Sequence, residues 1–128
     1  MRNVTLYLND IVDNMRDAEE FIQGLSYGDF AVDKKTFNAV ARAIEVIGEA
    51  AKNIPEDMRS KYPSVPWREM AGMRDKVIHS YFGVDREALW LVVKERIPSI
   101  RPLVEQIIRE IETQRPQGDL SRRSENDR

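Results

Sequence analysis

Apolar residues recur along this chain at intervals of three and four, the period of an amphipathic helix. Leu8, Ile11, Val12, Met15, Phe21, Ile22 and Leu25 predict a first helix over residues 4–24, with Gly24 near its end. The stretch Ser26-Tyr27-Gly28-Asp29 reads as a turn. Phe37, Val40, Ala41, Ile44, Ile47, Ala51 and Ile54 predict a second helix over 34–53, with Asp33 as its N-cap. Within it Gly48, Ala50 and Ala51 leave room for another helix to come close. Pro55, Pro63 and Pro66 make 55–66 a connector, and Pro66 suits the first turn of a third helix over 66–81. Gly83 stands where that helix should end. Asp85 is placed to cap a long fourth helix over 86–113, whose stripe runs from Leu89, Val92 and Val93 through Ile97 and Ile100 to Val104, Ile107, Ile108 and Ile111. Pro98 and Pro102 should kink it, because each removes a backbone donor.

No strand of useful length and no internal repeat competes with this pattern. The fold class is all-α: an up-and-down bundle of four helices, or of five if the third splits near Gly72, with a kinked, long C-terminal helix. The length of 128 residues fits one domain with a real core, expected over residues 1–113. Residues 114–128, QRPQGDLSRRSENDR, are poor in apolar side chains and rich in charge, and are expected to be a disordered tail. No apolar run is long enough to span a membrane, and the opening residues lack the pattern of a signal peptide, so a cytoplasmic protein is expected.

Composition narrows the chemistry. With no Cys and a single His, the chain has no thiol nucleophile, no cysteine zinc site and no histidine pair for a metal. His79 is the one side chain that ordinarily exchanges protons near neutrality. The net charge is −2, yet residues 59–101 hold 9 basic and 5 acidic side chains, while residues 1–58 hold 6 and 11. An acidic chain of this kind does not bind nucleic acid by bulk electrostatics. Any anion must dock at a focused site, and the basic segment contains His79.

On an ideal helix starting at Trp67, the residues Met70, Ala71, Met73, Val77, Ile78, Tyr81 and Phe82 form an apolar arc. Arg74 falls inside that arc at about 340°, Asp75 at about 80° and His79 at about 120°. Asp75 and His79 are four apart and can meet on one face, which would favour the imidazolium and orient the ring. An arginine on an apolar face must pair, reach outward or line a cleft. Arg74 and His79 lie about 140° apart on a straight helix, so one phosphate could touch both only through distortion near Gly72, the reach of the arginine, or two copies of the chain. The plainer reading of each residue is a surface His–Asp pair and a tyrosine at the edge of a core.

The run Arg74-Asp75-Lys76-Val77-Ile78-His79-Ser80-Tyr81 has the form R-x4-H-x-Y. It resembles the signature of HEPN-domain ribonucleases, specifically the HepT-type toxins. The likeness extends over residues 1–113 and includes Arg42 and Glu49-Ala50-Ala51 of the second helix, Trp67-Arg68 and Gly83-Val84-Asp85.

The resemblance implies a helical homodimer that brings two such motifs into one cleft, and metal-independent RNA cleavage with no cofactor. Arg74 and His79 would be catalytic and Asp75 supporting. It also implies a type VII toxin–antitoxin pair, in which an MNT-type nucleotidyltransferase antitoxin silences the toxin by adding AMP to Tyr81. The substrate's 2′-OH would attack the adjacent phosphorus, with His79 as acid or base and Arg74 clamping the phosphate. Two other readings compete: a non-catalytic helical interaction module, and a nucleotide-binding helper subunit of a nucleotidyltransferase. The second is weakened by the lack of a glycine-rich phosphate loop.

Overall fold

The computed structural model of the chain describes residues 3–81 and 85–114. Among them the regular structure is entirely helical. Helix α1 (Val4–Phe21) packs along α3 (Lys34–Lys52). Helix α8 (Ile97–Thr113) closes the bundle against α1. The expected stripes supply the core, except that Phe21 is exposed: Leu8, Ile11 and Met15 from α1, Phe37, Val40, Ile44 and Ile47 from α3, and Ile97, Ile100, Val104 and Ile107 from the last helix are all buried. The start of α3 is as expected, whereas α1 ends at Phe21, three residues before the expected end at 24. Asp33 accepts the Thr36 amide at 3.1 Å and the Thr36 hydroxyl at 2.7 Å, capping α3. Gly24, beyond α1, takes a φ of 80°, a left-handed turn that favours glycine.

Two segments expected as turn and connector are short helices. Helix α2 (Tyr27–Val32) starts with a reciprocal cap, in which the Ser26 hydroxyl accepts the Asp29 amide and the Asp29 carboxylate accepts the Ser26 amide, each at 3.1 Å. Its Phe30 is fully buried beside Phe37 and Trp90, with ring centroids 5.8 and 5.4 Å away. Helix α4 (Glu56–Lys61) is followed by Tyr62, whose hydroxyl donates to Glu110 of α8 at 2.9 Å. One or two turns are too short to show a periodic stripe, so α2 depends on its cap and tertiary contacts, and α4, which has no side-chain cap, on tertiary contacts.

The third helix is split. Helix α5 (Trp67–Ala71) and helix α6 (Met73–Tyr81) meet at Gly72, and both lie on α3. The reason for the close fit is Gly48 of α3. A Cβ there would lie 3.2 Å from the Arg74 amide nitrogen, 3.3 Å from the Met70 carbonyl oxygen and 3.4 Å from that of Ala71. Backbone meets backbone at this point, as the small residues of the second helix foretold.

The long fourth helix is also interrupted. Helix α7 (Arg86–Leu91) passes into a π-helical turn (Val92–Arg96) and then into α8. Within the turn the Ile97 amide donates to the Val92 carbonyl, one residue farther back than in an α-helix. Pro98 accounts for this: in a regular α-helix its ring would crowd the Lys94 carbonyl and it has no N–H to offer that carbonyl, so a wider turn relieves both problems. The expected distortion therefore falls just ahead of Pro98, while α8 continues as helix through Pro102. Arg96 leaves the π turn to grip Glu69 of α5 with two hydrogen bonds, of 2.7 and 2.9 Å. Asp85 precedes α7, but its side chain makes no capping bond. The expectations for Gly83 and for a disordered tail fall on residues outside those described, 82–84 and 115–128.

Candidate functional site

The break at Gly72 determines how α6 presents the R-x4-H-x-Y run. The helix restarts at Met73, so a wheel begun at Trp67 loses its phase there. Among the described side chains of α6 the buried ones are Met73, Val77 and Ser80, spaced four and three apart on one side. Arg74, expected within the apolar arc, is exposed, and so is Ile78.

Arg74 nevertheless does what a charged residue at that position must do. Its Nη1 donates to Glu49 Oε2 across to α3 at 3.2 Å. It also forms one wall of a cleft of about 320 Å³ between α1, α3 and α6. Tyr7, Asp10, Arg42, Glu45 and Asn53 share that cleft, and Arg42 pairs with Glu45 at 3.6 Å. Glu49 was visible in the sequence only as part of a family-like stretch. Nothing local marked it as the partner of an arginine 25 residues later.

His79 and Asp75 are both exposed. The expected contact between them is not made: no hydrogen bond or ion pair joins the two among the described residues. Arg74 and His79 remain five residues apart, about 7.5 Å along the helix axis and about 140° around it, so one chain does not converge them on one atom. Tyr81 ends α6, and its side chain lies outside the described residues.

Between His79 and Tyr81, Ser80 is completely buried. Its Oγ lies 2.9 Å from the Lys76 carbonyl oxygen and 2.9 Å from that of Asp85, so its single hydroxyl hydrogen is shared between the motif helix and the start of α7. This staple fixes the end of α6 across the connection to α7. Periodicity gave no sign of it, because Ser80 is polar. On α5, Glu69 is held below the ordinary glutamate range by its hydrogen bonds from Arg96. Among the described residues no group of three His, Asp or Glu side chains is placed to hold a metal ion. No helix among them is long and apolar enough to cross a membrane.

A family model described as Ribonuclease HepT-like matches residues 11–107, which includes the whole of α3, α5 and α6. The chain belongs to the HepT-like ribonuclease family. Similar proteins carry consistent names. "Probable ribonuclease HepT" of Thermococcus cleftensis is 54% identical over 101 residues, covering 79% of this chain and 92% of that protein. "Putative RNase MJ0127" of Methanocaldococcus jannaschii is 47% identical over 111 residues, covering 87% of this chain and 92% of that one. "Putative RNase TTE0752" of Caldanaerobacter subterraneus is 40% identical over 108 residues, covering 84% and 96%. No solved structure matches the chain. In a HepT-like chain the all-helical bundle expected from the apolar stripes is the scaffold on which the Arg74–Tyr81 run is displayed.

Proposed function

We propose that this HepT-like protein is the toxin of a toxin–antitoxin pair, a cytoplasmic endoribonuclease that cuts RNA without a metal ion or other cofactor. The observation that carries this reading is the display of Arg74 and His79 on one helix, both exposed, in a member of a ribonuclease family. RNA brings its own nucleophile, the 2′-OH. The protein needs only to move protons and stabilise the phosphate as charge builds on its oxygens. His79 is the proton carrier, and Arg74 supplies planar, paired donors to the phosphate. Attack by the 2′-OH on phosphorus expels the 5′-oxygen of the next nucleotide, leaving a 2′,3′-cyclic phosphate and a 5′-OH end.

The separation of Arg74 and His79 in one chain favours a homodimer in which each motif completes the other. A symmetric pair also supplies two histidines, one for the acid role and one for the base, from chains with one histidine each. Asp75, one turn before His79, is the supporting carboxylate. Tyr81 is the acceptor for AMP from an MNT-type nucleotidyltransferase antitoxin, and phosphate charge added there would repel RNA from the motif.

The test is cleavage of RNA by purified protein in excess chelator, with end-group analysis. Wild type should give cyclic-phosphate ends, and Arg74→Ala and His79→Ala should give none. Activity that survives His79→Ala, or that appears only with a divalent metal, overturns the assignment. Incubation with ATP and the nucleotidyltransferase should add the mass of AMP to wild type and not to Tyr81→Phe.

A further inference from the structure

Arg74 reaches its place by two contacts from consecutive residues of α3. Gly48 lets the Arg74 backbone come so close that a Cβ would sit 3.2 Å from its amide nitrogen. Glu49, the next residue, takes the other end of the side chain, with Oε2 3.2 Å from Nη1. One contact sets where the side chain starts and the other where it finishes. The ion pair is not buried: the side chains are 44% and 57% exposed. A guanidinium has five N–H donors in one rigid plane. Glu49 occupies a single nitrogen, and no other acceptor is hydrogen-bonded to the group among the described residues. The remaining donors are held at the wall of the cleft, available to a phosphate's oxygens.

We propose that Glu49 is the positioning residue of Arg74, holding its guanidinium by one corner so that an RNA phosphodiester meets a fork that is already oriented. This rests on the reading of Arg74 as the phosphate clamp. A free arginine would lose much of its rotamer freedom each time it engaged substrate, and it would stabilise the transition state only in the fraction of encounters where it pointed correctly. Glu49 removes that loss in advance. The cost is carboxylate charge near the substrate's anion, from Glu49 and from Asp10 and Glu45 of the same cleft, with Glu45 paired to Arg42; the Glu49 contact is tolerable because it sits at one edge of the guanidinium and is open to water.

The experiment compares wild type with Glu49→Ala, Glu49→Gln and Arg74→Ala, all as full-length protein, on one RNA. Thermal melts of each serve as the check on folding. Glu49→Ala is expected to lower kcat by about tenfold or more with KM changed by less than about threefold. Glu49→Gln, whose amide oxygen still accepts a hydrogen bond, should recover most of kcat. Wild-type kcat in Glu49→Ala overturns the proposal while leaving the ribonuclease reading intact. So does a fall in KM at unchanged kcat, which would make Glu49 a competitor for the phosphate. Full activity in Arg74→Ala would instead remove the reading on which the proposal rests, so the two failures are distinguishable.

Discussion

The amide nitrogen of Arg74 lies 3.2 Å from where a side chain on Gly48 would begin. The first residue of the candidate motif is thus seated directly on the backbone of α3. Alanine at position 48 would gain helix propensity of about 1 kcal/mol. It would also press on three backbone atoms of the α5–α6 junction, none of which can rotate away, and overpacking of this kind costs about 1–3 kcal/mol. Gly48→Ala is therefore expected to lower the melting temperature by several degrees, and Gly48→Val by much more. Because the displaced atom belongs to Arg74, RNA cleavage should fall too, at temperatures where the variant remains folded.

Ser80 offers a milder test of the same helix. Replacing its buried hydroxyl by alanine removes a shared hydrogen bond but leaves the Asp85 carbonyl with the Leu89 amide, at 3.2 Å. The expected loss is about 1 kcal/mol. Hydrogen exchange should show faster opening at the end of α6 and the start of α7 than in α1 or α3. Uniformly faster exchange would show that the staple has no local role.

Arg74 and His79 are exposed, so removing either should leave the bundle standing. Arg74→Ala forfeits one solvent-open ion pair, a contribution within about 1 kcal/mol. His79→Ala forfeits no hydrogen bond or ion pair to another described residue. Circular dichroism melts of both variants are expected to overlay wild type closely while cleavage is lost. A melt depressed by more than about ten degrees would make loss of activity a folding effect.

Acid should weaken the fold through two glutamates. The Arg96 hydrogen bonds hold Glu69 below its ordinary value of 4.5, against some burial. At Glu105 burial acts to raise the value, but the hydrogen bonds from Arg16 and Arg101 outweigh it and the net shift is downward. A carboxylate whose folded value is depressed contributes stability that is complete above its unfolded value and lost as pH falls through the folded one. The decline should therefore lie below pH 4.5, and Glu69→Gln should flatten it. Asp13, raised by burial and by Asp10 and Asp17, works in the opposite direction, so Asp13→Asn should steepen the decline slightly. Melting temperatures between pH 7 and pH 3 would check both signs.

The class of fold, the three long apolar stripes, the cap at Asp33, the small-residue contact of α3 and the letters of the motif are all legible along the chain. These are local properties: a 3.6-residue period and a side chain bonding its own neighbours can be read along the chain. Tertiary structure decided the rest. Helices α2 and α4 are too short to carry a period and form because Phe30 finds Phe37 and Trp90 and because Tyr62 finds Glu110. The direction of Arg74 could not be read, because Gly72 resets the phase of the helix and the partner, Glu49, lies on another element. Asp75 and His79 both lie within α6 and are exposed without a bond between them, although their spacing would allow one. Spacing states which groups can meet along one helix. Which of them do meet depends on where that helix is interrupted and on what packs against it.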